Sequence, residues 1–195
     1  MKHVYFATPN SGDIEKIATE LREHDISVEH VPLHLPDSRS HEIAGIAAEK
    51  VRYAYSHTQG PTITNESGFF IPALSGFPRS HTDFVLETIG IKGILKLAEG
   101  CDRECEFRSS LAYIDKDHDE PVFFESIITG SLAFEESGTD HDYHWSRLFF
   151  IFIPDGYDKT LAEMEPEEFN RWWESQKRQS VFHKFANWYR GETKE

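Results

Sequence analysis

Residues 60–78 read GPTITNESGFFIPALSGFP, and the reading of this stretch decides the rest. Two β-prone runs, 61–64 and 69–74, flank the polar sequence Asn65-Glu66-Ser67-Gly68. Val, Ile, Thr and Phe favour extended backbone, whereas Asn, Ser and Gly interrupt it. The pattern predicts a central hairpin with Glu66 where a strand ends, followed at once by a hydroxyl and a glycine. A carboxylate at such a place can hold a hard cation or orient a water. It is also compatible with a plain hairpin turn that happens to contain a glutamate.

Working outward, residues 3–7 predict a buried strand, broken by Thr8-Pro9-Asn10-Ser11-Gly12. Ile14, Ile17, Ala18 and Leu21 then recur at helical spacing over 14–24, with Asn10 or Ser11 as N-cap. Strand, polar turn and helix in that order make a ready anion site, since the helix N-terminus presents free N–H groups. Many α/β folds begin this way and bind nothing there. A second strand is expected over 26–35 and a helix over 42–56, whose stripe is Ile43, Ile46, Ala47, Val51 and Ala54. Lys50 lies inside that stripe. An apolar stripe is where a surface lysine does not belong, although its stem can snorkel from the end of the stripe to water.

Beyond the central stretch, residues 80–100 read as helix divided at Gly90, and 104–115 as a strand with Cys105, Phe107, Ser109 and Leu111 on its more apolar face. Residues 121–135 read as the next strand, bent at Gly130, forming an antiparallel hairpin with its predecessor. A polar loop over 136–144, a buried strand over 148–154, and helices over 166–176 and 179–189 complete the chain. His141 and His144 are spaced i, i+3, but their Gly- and Asp-containing context argues for a loop and against a metal pair. Trp172, Trp173, Phe182, Phe185 and Trp188 read as helix-packing core. Strands interleaved with helices predict an α/β fold with a mixed central sheet flanked by helices.

The 195 residues fit one domain, 1–195, with 38% hydrophobic residues and a formal net charge of -14. That charge argues against long nucleic acid as a ligand, because phosphate backbones require a basic footprint. Cys101 and Cys105 leave no second cysteine pair for zinc. The longest apolar run has the length of a strand, so no membrane partner is expected, and the cytoplasm is the expected location.

Several stretches now line up in order with one family. Ala7-Thr8-Pro9-Asn10 resembles an opening A-T-G-N, Leu35-Pro36-Asp37 resembles L-P-E, and Asn65-Glu66-Ser67-Gly68 resembles E-D-T-G or D-D-S-G. Ala73-Leu74-Ser75-Gly76-Phe77-Pro78 is similar to A-L-G-G-x-P, Ile151-Phe152-Ile153-Pro154 to I-F-x-P, and Phe182-His183-Lys184 to S-H-R. These are the motifs of the inosine triphosphate pyrophosphatase family, which the chain resembles over nearly its whole length. The resemblance implies two lobes around an active-site cleft, a nucleoside triphosphate substrate, Mg²⁺ and a homodimer. It places Glu66 as catalytic acid and metal ligand, and Asp37 as the second metal ligand. Asp37 also suits the N-cap of a nearby helix. Thr8 and Asn10 fall on the phosphate turn, Lys50 and Arg178 near the phosphates, and Ser67 after the acid. Phe149, His183 and Lys184 fall near the base.

Some positions depart from the family. Asp13 stands where the family has a lysine, Pro9 where it has a glycine, and Asn65 where it has the first acid. Residues 146–150 replace F-G-[WY]-D-P, with Phe149 in place of the aspartate. The expected function is a Mg²⁺-dependent nucleoside triphosphate pyrophosphatase with altered base preference. The alternative is a catalytically impaired protein of the same fold that binds a nucleotide or a protein partner.

Overall fold

The computed structural model describes residues 2–9, 14–36, 38, 40 and 42–191. Asn10, Asp13, Asp37 and the side chain of Lys16 lie outside the described residues. The elements in chain order are β1 (Lys2–Ala7), α1 (Ile14–Arg22), β2 (Ile26–Val31), α2 (Ile43–Thr58), β3 (Thr62–Phe70) and β4 (Pro78–Arg79). There follow α3 (Thr82–Thr88), α4 (Gly90–Leu97), β5 (Glu104–Ile114), β6 (Val122–Leu132), β7 (Phe152–Pro154), α5 (Pro166–Lys177) and α6 (Val181–Arg190). Among the described residues seven strands form one mixed sheet in the order β2-β1-β3-β5-β6-β7, with β4 on β3.

Two compact units divide the chain, the first made of residues 1–67, 109–126 and 177–195 and the second of 68–108 and 127–176. In the first unit β1 runs parallel to β2, with Phe6 opposite His30, and parallel to β3, with Phe6 opposite Ile63. Side chains alternate across a strand, so each face of this sheet has its own helical cover. On one face Val4, Phe6, Ile63, Leu111 and Tyr113 pack with Leu21 of α1 and with Val181, Phe185 and Ala186 of α6. On the other face Ala112 and Ile114 pack with Ala47 and Val51 of α2. Fully burying a Val, Leu, Ile or Phe side chain contributes about 1.5–3 kcal/mol, so these two layers fix α1, α6 and α2 against the strands.

In the second unit the core is aromatic. Phe69, Phe107, Phe149, Phe152, Phe169 and Trp172 form one buried cluster with Leu148, Ile151 and Leu161. Gly130 lies where β7 crosses β6: a Cβ there would sit 2.3 Å from the Ile153 carbonyl oxygen.

Three sequence expectations are corrected. The hairpin turn does not fall at Asn65–Gly68; β3 runs unbroken through those residues, and Glu66 lies mid-strand rather than at a strand end. The turn comes later, over residues 71–77, where Ser75 and Gly76 take the left-handed conformation and Phe70 pairs with Pro78. The second strand ends at Val31 rather than at 35, because Pro32 has no N–H to continue the ladder. Residues 148–154 are a strand only from Phe152. Before it Arg147–Phe150 form a 3₁₀ turn capped by Ser146, whose Oγ accepts from the Leu148 N–H at 3.2 Å.

Candidate active site

The first unit has a topological switch. The chain leaves β1 through α1 to β2 on one side, then returns through α2 to β3 on the other side of β1. In open α/β sheets ligands bind beyond the carboxyl ends of the strands at such a point. Thr8 lies at the carboxyl end of β1, its N–H donating to the Val31 carbonyl at 3.2 Å. His30 Nε2 lies 3.0 Å from the Thr8 carbonyl oxygen, so the imidazole N–H ties the residue that follows β1 to β2.

Continuing the β1–β3 register beyond Phe6 and Ile63 brings Thr8 level with Asn65 and next to Glu66. Within β3 the period of two separates the functional side chains. Thr62, Thr64 and Glu66 share the face covered by α2. The buried Thr64 Oγ1 donates to the Ala47 carbonyl at 3.1 Å, locking strand and helix together. One turn along α2, Lys50 Nζ donates to Glu66 Oε2 at 2.6 Å. The pair is largely buried, with side-chain exposures of 23% for Lys50 and 13% for Glu66. This explains a lysine inside an apolar stripe: its ammonium has a carboxylate beneath the helix. Charge-assisted bonds of this length are about twice as strong as neutral ones.

The opposite face of β3 carries Asn65 and Ser67. Asn65 Nδ2 donates to Ser67 Oγ at 3.3 Å, and Ser67 Oγ meets Ser109 Oγ of β5 at 2.9 Å. Asn65 Oδ1 is buried and meets no donor among the described residues. Glu66, on one face of β3, is a carboxylate of the kind a hard cation takes, whereas the amide oxygen and the two hydroxyls lie on the other face. His30 and Ser109 were not singled out in the sequence. Ser109 and Ser110, two adjacent hydroxyls before the apolar end of β5, were the available signal.

The other expected site residues are distributed differently. Arg178 is exposed on the turn between α5 and α6. His183, in the first turn of α6, has its ring 5.1 Å from that of His24, just before the amino end of β2. Thr8 is at the carboxyl end of the adjacent parallel strand, about 20 Å away for six extended residues. Lys184 Nζ donates to the Glu125 carbonyl at 2.7 Å. Both residues are on α6, which packs on the face of the sheet opposite α2. Phe149 is fully buried in the second unit, its ring 4.8 Å from Trp145 and 5.4 Å from His144. Its ring meets other aromatic side chains.

His141 and His144 lie in a turn with rings 5.1 Å apart. The His144 side chain is buried against Phe149 and Phe169, and among the described residues neither ring nitrogen has a hydrogen-bond partner. Burial, and after it His141, pushes its proton affinity below the usual histidine value, against the opposing pull of Asp140. Among the described residues no group of three or more His, Cys, Asp or Glu is arranged to hold a metal ion.

A carboxylate held by a helix lysine in the middle of β3, beside the carboxyl end of β1, gives this α/β protein a polar site at its topological switch. The chain belongs to the Ham1 family, whose profile matches residues 4–188. It is 38% identical over 191 residues to the dITP/XTP pyrophosphatase of Methanopyrus kandleri, with 96% of each chain covered. It is 34% identical to the dITP/XTP pyrophosphatase of Methanothermobacter marburgensis, with 95% of each covered. Its fold matches a HAM1 protein from Coxiella burnetii with a TM-score of 0.80 at 20% identity, covering 96% of this chain and 98% of that one. Among the described residues no helix is long and apolar enough to cross a membrane.

Proposed function

We propose that the chain is a cation-dependent nucleoside triphosphate pyrophosphatase, cleaving one phosphoanhydride bond to release a nucleoside monophosphate and pyrophosphate. The observation that carries this reading is the largely buried Lys50–Glu66 pair, in the middle of β3 and beside the carboxyl end of β1. Family membership and relatives named dITP/XTP pyrophosphatase support it.

The roles follow from the chemistry of the groups. Glu66 accepts a proton from the attacking water and aims its oxygen at phosphorus; water supplies hydroxyl to one product and a proton to the other. Lys50, one helical turn above, balances charge on the phosphates. Thr8, held by His30, begins the turn that receives the triphosphate, with Asn10 beyond it. Ser67 and Ser109 offer hydroxyls on the opposite face of β3. When bound, Mg²⁺ would neutralise phosphate charge and polarise the bond that breaks. Glu66 is its proposed protein ligand here, with Asp37 as the second by resemblance.

The proposal includes a base preference shifted from that of the family. An aspartate accepts hydrogen bonds from a base edge, whereas Phe149 is a buried phenyl ring. A site that loses hydrogen bonds to its substrate loses discrimination. A homodimer, implied by the resemblance, belongs to the same proposal and is read by light scattering. Pyrophosphate release from inosine, xanthosine and the four common nucleoside triphosphates with Mg²⁺ tests the whole. Binding without release selects the impaired alternative. A preference of about a thousandfold or more for inosine triphosphate refutes the shifted base choice.

A further inference from the structure

The ion pair implies more than a pair of ligand contacts. We infer that Lys50 occupies the cation's place on Glu66 while no nucleotide is bound, so that the cation enters only with the triphosphate. This inference rests on the proposed hydrolase reading.

Lys50 Nζ sits 2.6 Å from Glu66 Oε2, and the glutamate side chain is only 13% exposed. A divalent cation approaching that oxygen meets an ammonium already bonded to it. The like charges repel with little water to screen them. The lysine is fixed from above by its helix: Ile46, Ala47, Val51 and Ala54 around it on α2 are buried. Thr64 ties the same helix to β3. The ammonium therefore cannot leave by moving the helix; it leaves by rotating its own four-carbon stem, which carries three donors. A triphosphate supplies the acceptors that draw it off. With the ammonium on phosphate, Glu66 is free for the cation, and both arrive in one charge-balanced step. The coupling follows: cation alone binds weakly, and nucleotide strengthens it.

Arg52, two residues further along α2, supplies an internal control. Its guanidinium pairs with Glu120 on the exposed side of the first unit and does not touch Glu66. Removing it takes away the same unit of charge without vacating the carboxylate.

The test is titration of Mn²⁺ alone, followed by the electron paramagnetic resonance signal of the free ion, on wild type, Lys50→Met, Lys50→Gln and Arg52→Met. Circular dichroism melts report folding of each. Wild type and Arg52→Met are expected to bind Mn²⁺ weakly and alike. Lys50→Met and Lys50→Gln are expected to bind it at least about tenfold more tightly. A non-hydrolysable triphosphate analogue should strengthen Mn²⁺ binding to wild type more than to either Lys50 variant. An unchanged Mn²⁺ affinity in the folded Lys50 variants overturns the inference, and so does an equal gain in Arg52→Met. Absence of pyrophosphate release from every nucleotide refutes the hydrolase reading instead, and leaves the Mn²⁺ titration as a separate readout of Lys50 and Glu66.

Discussion

Glu66→Gln keeps the length of the side chain and removes its charge and its basicity, so it separates the chemical role of Glu66 from its structural one. A positioned general base contributes about 10²–10⁴ in rate. The variant should therefore lose about 10²–10⁴ in kcat, or ~2.7–5.4 kcal/mol of transition-state stabilisation. The stability cost is bracketed by the geometry. Exposed ion pairs are worth about 0–1 kcal/mol, and breaking a fully buried one costs about 3–5 kcal/mol. The Lys50–Glu66 pair lies between these cases, with 23% and 13% of its side chains exposed. The glutamine oxygen can still accept from the ammonium, and the lysine stem can carry its charge to water. A loss of about 1–2 kcal/mol follows, which lowers Tm by about 2–8 °C in a chain of this size. A coupled assay of pyrophosphate at saturating nucleotide, with a thermal melt on the same preparation, reads both quantities. If kcat stays within about threefold of wild type, Glu66 is not the base. A fall in Tm of ~15 °C or more accompanying the loss of activity would make its role structural.

Three further outcomes are expected. Gly68→Ala should lower Tm by about 2–12 °C, the equivalent of ~1–3 kcal/mol of overpacking. Its new Cβ would lie 2.5 Å from the Arg79 carbonyl oxygen of β4, and an unchanged melt by differential scanning fluorimetry would refute this close approach. His144 binds its proton less readily in the fold than in the unfolded chain, whose value is near 6.5. Its stabilisation is therefore present above that pH and is lost as pH falls below it, through the lowered folded value. Tm measured across this range should decline less steeply in His144→Phe, and parallel curves would count against the buried neutral imidazole. Phe149→Asp should cost about 4 kcal/mol or more, because it places an unpaired carboxylate among Phe107, Trp145 and Phe169. A denaturant midpoint equal to wild type would show that the ring is not a core element.

Periodicity made most elements legible, and tertiary pairing overrode local turn chemistry at one place. The α2 stripe and the break at Gly90, whose φ is +65°, follow from spacing and from glycine's freedom in the left-handed region. Asn65-Glu66-Ser67-Gly68 has the composition of a turn, yet β3 lies between β1 and β5 in the sheet and continues through it. Residues 148–150 have the composition of a buried strand, but Ser146 caps them into a 3₁₀ turn. The His183 and Lys184 assignments rested on motif likeness, and no local property of those residues reports which sheet face α6 covers.

The pairing of Lys50 with Glu66 was half legible, and the missing half explains a departure in the sequence. A lysine inside an apolar stripe is out of place for a surface charge, but the stripe does not say what it meets or which later strand supplies a partner. Strand parity does. The face of β3 that meets α2 is fixed by Thr64, whose hydroxyl bonds Ala47; two residues on, Glu66 must share that face and Asn65 must not. Lys50 therefore bonds the carboxylate at position 66 and makes no such bond to the side chain at 65. The side chain at 65 answers instead to Ser67, and through it to Ser109, where an amide donates a hydrogen bond that a carboxylate cannot. An amide at position 65 thus leaves the Lys50–Glu66 pair intact.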